Sequence, residues 1–374
     1  MKKIKVCFWL NVQSAHQSLF LDELYNHQYI DLKVCYFDKT NKNRIKLGWS
    51  NEENYKDYEL KVLSLDTALD NISDWKERIH IVMGYGFSFN KTLVPLLIKE
   101  QVKWIHWSER YGIGLAKKLN YNVFLFKLLR PLFLLTKRDY GKLVQKYALG
   151  CFAQGELAKK DFLLMGISEQ KIENLFYTSE LKKNISSEKT NKKNEIIFLY
   201  VGQLSERKGT KDLLLAFKNL QVKNVKLYLV GQDTSDGKYL LLVKKLRISR
   251  SVVFKGIVPF NKIHDIYDKS DVFVFPSRYD GWGAVLNEAA YAGLPIIATN
   301  QTGAAYHIIE NNFNGYRYEA SDIEALVSKM QYYVNNKQFI DIHGKNSKEV
   351  IKKFTPKVNV GRFINALKKW GVDF

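Results

Sequence analysis

The sequence predicts an α/β protein whose two domains face each other across a cleft. Short apolar runs of strand type alternate with helical periodicity along the chain, and one polar segment divides this alternation into two halves. The chain has 374 residues, 46% of them hydrophobic and 14% aromatic, which is enough to fill two cores and excludes a disordered protein.

The predicted strands are distributed over both halves. In the first half they cover residues 4–10, 32–37, 79–83, 104–107 and 150–153, and in the second half residues 196–201, 226–230, 252–255, 271–275 and 295–298. Residues 183–194 are lysine-rich and almost free of apolar side chains, as is typical of a linker. We therefore predict an N-terminal domain over residues 1–182, a linker over 183–194, a C-terminal domain over 195–346 and a last helix within 347–374.

The most informative segment is residues 276–298, where an apolar strand runs into a glycine-rich loop, a helix of small residues and another apolar strand. Asp280 lies in the loop, and Glu288 lies about a turn and a half into the helix that we expect to start near Gly283. Open α/β sheets bind ligands at this kind of strand end. Glycines let backbone amides approach a ligand, and a helix start favours an anion, so we predict a ligand that carries hydroxyls and phosphate.

This segment resembles the glutamate-x7-glutamate motif of retaining glycosyltransferases of family 4, with Asp280 and Glu288 at the acidic positions. In that family the first carboxylate contacts hydroxyls of the donor sugar and the second holds the ribose of the nucleotide. The resemblance implies the GT-B fold, two Rossmann-like domains facing across a cleft, with the last helix crossing back onto the first domain. It also implies that the loop binds the donor through Gly281, Trp282, Gly283 and Ala284.

A second loop follows residues 196–201 and contains Gly202, Arg207 and Lys208. Cations at a strand end, beside a glycine and a helix start, predict a site for a diphosphate leaving group. The loop resembles the family's G-R-L-x-x-x-K-G element, whose Arg and Lys neutralise the pyrophosphate. Lys208 matches that lysine, whereas Gln203 stands at the arginine position, so we assign the second charge to Arg207. Solvated loop cations are the alternative.

Two further loops resemble family elements that hold phosphate or face the acceptor. Gly303 lies in residues 301–305, which resemble the G-x-P-E loop without its acidic residue, and a connecting turn is the alternative. Ser14 and His16 join the first strand to a helix, where the resemblance places acceptor or phosphate contacts. A helix cap with a surface histidine is the alternative reading.

Residues 104–110 end a predicted strand that we expect to point at the cleft. Family enzymes commonly place a histidine at this level beside the donor sugar, and the resemblance makes His106 that catalytic residue. Glu109 is predicted to contact an acceptor hydroxyl. The alternative for His106, which lies between two tryptophans, is a hydrogen-bonded core residue.

The resemblance implies a metal-independent hexosyltransferase that moves a sugar, with retention, from a UDP- or GDP-sugar to a glycan or lipid-linked acceptor in bacterial surface polysaccharide synthesis. The chain contains no D-x-D and no histidines at metal-ligand spacing. We expect no cofactor, because the nucleotide-sugar is a substrate. A GT-B nucleotide-sugar 2-epimerase and a non-enzymatic basic protein that binds polyanions are the alternatives.

Charge indicates phosphate-rich partners, since 58 Lys and Arg against 38 Asp and Glu give a net charge of +20. Residues 117–146 interleave cations with bulky apolar side chains, and their only acid is Asp139. This pattern predicts helices that lie in the interface of an anionic membrane, broken at Pro131, and the alternative is a domain helix with a solvated basic side.

Widely spaced cysteines and short apolar runs favour a cytoplasmic protein. We hypothesise reversible binding to the inner membrane face, and we expect no nucleic-acid partner.

Overall fold

The structure is a computed structural model that describes residues 3–37, 55–84, 86, 88–178, 195–220, 222, 224–259 and 262–374. The first domain has a parallel sheet with the strand order β3-β2-β1-β4-β5-β6-β7. Its strands are β1 (Ile4–Leu10), β2 (Ile30–Tyr36), β3 (Glu59–Lys61), β4 (Ile79–Met83), β5 (Trp104–Ser108), β6 (Gly150–Ala153) and β7 (Ile172–Asn174). Its helices are α1 (Ala15–Tyr25), α2 (Leu65–Asp70), α3 (Ser88–Lys99), α4 (Ile113–Lys118), α5 (Val123–Leu135), α6 (Arg138–Tyr147) and α7 (Glu156–Leu164).

The second domain repeats this plan with a parallel sheet in the order β10-β9-β8-β11-β12-β13. Its strands are β8 (Ile196–Val201), β9 (Val225–Val230), β10 (Val252–Gly256), β11 (Val272–Phe275), β12 (Ile296–Thr299) and β13 (Gly315–Tyr318). The helices that follow are α8 (Thr210–Lys218), α9 (Lys238–Lys245), α10 (His264–Asp268), α11 (Val285–Tyr291), α12 (Ala305–Ile308), α13 (Ile323–Asn335), α14 (Gln338–Ile351) and α15 (Pro356–Lys369).

The predicted α/β class and GT-B fold are confirmed, since each domain is a doubly wound parallel sheet. Strand order reverses between β1 and β4 in the first sheet and between β8 and β11 in the second. At such a point the connections leave toward opposite faces and open a crevice beyond the strand ends. The fold therefore supplies one crevice per domain.

Both sheets are covered on their two faces, as parallel sheets require. In the first domain Phe8 and its neighbours form a core on one face, while Cys7 and Trp9 belong to the core on the other. The last helix completes the first of these cores: the Phe363 ring of α15 lies 5.7 Å from Phe8 and 6.1 Å from Phe20. The C-terminal helix thus packs on the first domain.

Some predicted boundaries differ from the structure. The division between residues 346 and 347 falls inside α14, and the crossing helix begins at Pro356, where the hydroxyl of Thr355 accepts a hydrogen bond from the Val358 amide. The predicted linker, 183–194, lies outside the described residues.

The predicted break at Pro131 is wrong, because α5 runs through it. Pro131 is exposed, so water can satisfy the carbonyl that loses its helical partner.

Contacts between the domains fix the walls of the cleft. The Arg110 guanidinium stacks on Tyr279, 4.6 Å from the ring centre, and Nη1 donates to the Gln301 carbonyl at 3.2 Å. On the other side, the Phe176 ring stacks on Trp282 with 5.2 Å between their centres. These buried contacts hold the loop that contains Asp280 against the first domain.

Candidate active site

A cavity of about 840 Å³ lies between the domains where the two crevices face each other. Most residues of the first-domain wall come directly after β1, β4 and β5 in the chain. Most of those of the second-domain wall come after β8 or lie between β11 and α11. The predicted residues that line it are Ser14, His16, Glu109, Gly202, Arg207, Lys208, Asp280, Trp282, Gly283 and Ala284. The volume suits a drug-sized polar ligand.

An ion-pair cluster lies on the second-domain wall. The Asp280 carboxylate binds Lys208 Nζ, and Arg207 Nη1 lies 4.0 Å from the same oxygen. Lys208 and Asp280 are 72 positions apart and meet because β8 and β11 are neighbours in the sheet. Burial lowers the pKa of Lys208, and the Asp280 charge opposes that effect. The cluster carries two cations and one carboxylate and can therefore accept an anion.

A second ion pair braces the loops that carry this cluster. Arg278 binds both carboxylate oxygens of Asp212, at 2.8 and 2.6 Å, and also pairs with Glu206. Its backbone N–H donates to the Arg207 carbonyl at 2.8 Å. Because a bidentate guanidinium fixes geometry as well as charge, the loops on either side of the cluster are held in register.

Two glycines of the Asp280 loop allow close contacts, one across the cleft and one within the second domain. A Cβ at Gly281 would overlap a carboxylate oxygen of Glu109, and Gly283 has a φ of +89° with Thr302 Cγ2 where a Cβ would stand. Only glycine fits these positions without displacing a neighbour. The Gly281 backbone therefore lies against Glu109, while Gly283 lines the cavity.

Glu109 is the carboxylate that the first domain contributes to the cavity. Burial, followed by the nearby Asp280 charge, raises its pKa to about 7. Its position directly after β5 places it over Gly281. The sequence prediction named Glu109 for an acceptor contact, and the structure places it within reach of both walls.

The expectation that His106 points at the cleft is wrong. Its side chain is 0% exposed, Nδ1 lies 2.9 Å from Tyr140 Oη, and Nε2 lies 3.3 Å from Tyr111 Oη. Burial lowers its pKa to about 3, so the ring is neutral at pH 7. His106 lies two residues before the end of β5, where Tyr140 and Phe162 pack against its ring, whereas Ser108 and Glu109 at the strand end line the cavity.

Glu288 lies below the cavity rather than on its surface. It is 5% exposed, and its carboxylate accepts a 2.8 Å hydrogen bond from Tyr267 Oη. Burial raises its pKa to about 7, and the hydrogen bond opposes this shift. Helix α11 starts at Val285 rather than at Gly283, and Glu288 lies one turn behind Ala284, which lines the cavity.

The remaining predicted residues divide between lining and support. Ser14 Oγ caps α1 by accepting from the His16 amide at 3.4 Å, and both side chains line the cavity. Gly303 packs against the Gly281 carbonyl, and the Ala304 amide donates to the Trp282 carbonyl at 2.8 Å. The loop with Gly303 therefore supports the Asp280 loop from behind.

Several residues that line the cavity were not predicted from the sequence. Asn11 and Gln232 line the cavity, and each lies just beyond a strand, β1 and β9 respectively. The rule that ligands bind at carboxyl strand ends could have found both. Tyr177 and the bracing residue Arg110 could not be found in this way, because their places depend on contacts between the domains.

Within the described ranges there is no group of three or more His, Cys, Asp or Glu side chains that could hold a metal ion. No helix among the described residues is long and apolar enough to cross a membrane.

Residues 182–353 match the family model of glycosyl transferases group 1. The capsular polysaccharide biosynthesis glycosyltransferase CapM of Staphylococcus aureus is 30% identical over 195 residues, 49% of each chain. The sulfoquinovosyl transferase SQD2 of Arabidopsis thaliana is 25% identical over 212 residues, which are 55% of this chain and 40% of that protein. The chain thus spans about half or less of these relatives.

Solved structures match over nearly the whole chain at low identity. The apo form of the lipopolysaccharide outer core galactosyltransferase WaaB has a TM-score of 0.72 and 16% identity, with 98% of this chain and 99% of that chain covered. HepE of Anabaena, in complex with UDP and glucose, has a TM-score of 0.71 and 13% identity, with 97% and 100% covered. At such identities the likeness establishes the fold alone.

Proposed function

We propose that the chain is a glycosyl transferase of group 1, the family whose model residues 182–353 match, and that it is a retaining hexosyltransferase acting without a metal. Its donor is a UDP- or GDP-sugar, and its acceptor is a glycan or a lipid-linked glycan of a bacterial surface polysaccharide. The observation that carries the proposal is the meeting of Lys208, Arg207 and Asp280 on one wall of the cavity, opposite Glu109.

Donor binding is proposed to exchange partners within the ion-pair cluster. The diphosphate takes Lys208 and Arg207, which frees the Asp280 carboxylate to accept hydrogen bonds from the sugar hydroxyls. Because Lys208 is only 12% exposed, its charge acts in a poorly solvated site, where a phosphate partner has the largest effect. Glu288, one turn below Ala284, would hold the ribose after leaving Tyr267 Oη.

Transfer follows from this arrangement without a protein nucleophile. The bond between the anomeric carbon and the diphosphate oxygen breaks, and the acceptor oxygen bonds to the same face of that carbon. The acceptor proton passes to the leaving phosphate. Lys208 and Arg207 stabilise the charge that develops on the diphosphate, while Glu109, over Gly281, orients the acceptor hydroxyl.

The named relatives support the donor and acceptor classes of this proposal. CapM is named for capsular polysaccharide biosynthesis, WaaB is named a lipopolysaccharide outer core galactosyltransferase, and HepE was solved with UDP and glucose. A cavity with cations on one wall and carboxylates on both is suited to a nucleoside diphosphate sugar and a hydroxyl-rich acceptor.

A panel of nucleotide-sugars tested for thermal stabilisation identifies the donor, because a ligand that binds only the native state raises its melting temperature. With that donor, Asp280→Asn should lower turnover about a hundredfold while the fold is retained. Near-normal transfer by this variant would contradict the proposed site. Conversion of the donor in the absence of any acceptor would instead indicate an epimerase.

A further inference from the structure

We propose that the outward faces of α5 and α6 form a docking surface for an anionic lipid membrane, placed beside the mouth of the active-site cleft. The apolar part of this surface is a row of exposed side chains on α5. They are Phe124 (74% exposed), Leu125 (38%), Leu128 (61%), Leu132 (62%) and Leu135 (46%).

The exposed row is a continuous stripe of the helix. At about 100° per residue, its members fall within an arc of about 100°. The opposite side of α5 is occupied, because Val123, Phe126 and Leu134 are buried. A row of five large apolar side chains exposed on one face is an apolar patch of the kind that marks an interaction site.

The basic part of the surface lies on α6, which follows α5 after Thr136 and Lys137. Arg138, Lys142 and Lys146 are exposed at i, i+4 and i+8, while Tyr140 and Val144 of the same helix are buried. An exposed apolar helix next to an exposed basic helix is the composition that binds in the interface of an anionic bilayer.

The structure changes which cations can serve this surface. Lys127 pairs with Glu319 of the second domain, and Arg130 pairs with Asp161, whose side chain is 0% exposed. These two positive charges are therefore used within the protein, although the sequence pattern groups them with the others. The three cations on α6 remain exposed, although Lys142 Nζ lies 3.6 Å from the carboxylate of Asp139, which is exposed on the same helix.

An anionic lipid surface explains both the apolar row on α5 and the cations on α6, whereas a second copy of the chain explains only the apolar row. A symmetric dimer through α5 and α6 would place like charges of Arg138, Lys142 and Lys146 near each other. Helix α5 has 13 residues, about 20 Å, which is too short to span a bilayer but suits a helix lying in its plane.

The position of α5 links this surface to the active site. The Phe126 ring on its inner side lies 5.4 Å from the ring of Tyr279, the residue before Asp280. Ile113, at the start of α4, lines the cavity and is 50% exposed. A membrane on the outer face of α5 would therefore lie next to the cavity mouth, where a lipid-linked molecule could reach it.

The first test places an environment-sensitive fluorophore at Leu128→Cys in the full-length protein. Cys7, Cys35 and Cys151 are the three cysteines of the chain, and all are buried, so the new thiol reacts selectively. The matched control is Leu241→Cys in the second domain, because Leu241 is 64% exposed against 61% for Leu128. Phosphatidylglycerol vesicles should shift the emission at position 128 to the blue and leave position 241 unchanged.

The second test removes the basic stripe with Arg138→Gln, Lys142→Gln and Lys146→Gln together. Vesicle affinity should fall by up to about a hundredfold, since each cation near an anionic surface contributes about 1 kcal/mol. Changing the exposed Lys244, Lys245 and Lys269 to Gln removes the same charge from the second domain and should have a much smaller effect. Thermal stabilisation by the nucleotide-sugar should be unchanged in both triple variants, which separates this proposal from the proposed activity.

Three results would overturn the proposal. They are equal blue shifts at positions 128 and 241, equal loss of affinity in the two triple variants, and absence of binding to phosphatidylglycerol vesicles. A shift at position 128 that grows with protein concentration without vesicles would assign the surface to a second copy instead.

Discussion

Replacing Glu288 by glutamine should stabilise the protein at alkaline pH. Burial raises the pKa of this carboxyl from 4.5 to about 7. Between these values the folded state keeps a proton that the unfolded chain has released, so folding stability falls as the pH rises through this window. The pKa of Glu288 rises from 4.5 to about 7, and a shift of one pKa unit corresponds to about 1.4 kcal/mol. Ionisation of Glu288 therefore lowers the free energy of unfolding by about 3 kcal/mol above pH 7.

Glutamine removes this cost, because it cannot ionise and keeps an oxygen that accepts from Tyr267 Oη. Urea unfolding should give similar stabilities for wild type and Glu288→Gln at about pH 5, and a variant more stable by about 3 kcal/mol at about pH 8.5. Glu109 titrates in the same range, with a pKa of about 7, but it is present in both proteins and cancels in the difference. The exposed Glu23→Gln serves as the control.

The same substitution should weaken donor binding if Glu288 holds the ribose. If the variant is more stable and binds the nucleotide-sugar less tightly, Glu288 is retained for function at the expense of stability. A stability difference that does not grow between the two pH values would refute the burial argument. Unchanged donor affinity in calorimetry would refute the ribose contact.

Three further outcomes test the site. Lys208→Ala should weaken nucleoside diphosphate binding about tenfold to a hundredfold, through loss of a charge-assisted bond, and leave binding of the corresponding nucleoside unchanged. Equal affinity of both proteins for the diphosphate would leave Lys208 as a partner of Asp280 alone. Gly281→Ala should reduce turnover by displacing Glu109, and a Gly281→Ala/Glu109→Ala double variant should be no worse than Glu109→Ala; additive losses would argue against this contact. The product should keep the anomeric configuration of the donor and form in the presence of a chelator, so an inverted product by NMR or a loss of activity with chelator would contradict the mechanism.

The central strands were predictable because each is a continuous apolar run covered on both faces. Ile4–Leu10, Ile79–Met83 and Ile196–Val201 have the predicted bounds. We missed β3 and β7, which have three residues each and lie at the sheet edges, because runs this short carry too little periodicity to separate a strand from a loop. We also missed β13, whose four residues, Gly-Tyr-Arg-Tyr, do not form a continuous apolar run.

The candidate site was predictable where its residues follow a strand in the chain. Asp280 and Lys208 were identified from their own loops, and both line the cavity. His106 was misplaced, because its sequence position does not show that Tyr140 of α6 and Phe162 of α7 cover the strand at this level. Glu288 was identified by its motif, but its burial against Tyr267 depends on α10, which lies 21 positions away.

The amino-acid sequence alone determined the two α/β domains and the loops that carry Asp280 and Lys208, because apolar runs, glycines and charges act over a few neighbouring positions. Only the tertiary structure decided that Lys208 binds Asp280, that Glu109 faces Gly281, and that Lys127 and Arg130 are taken by Glu319 and Asp161. These contacts join residues that are distant in the chain, so they follow from how sheets and domains pack and from the burial that this packing imposes.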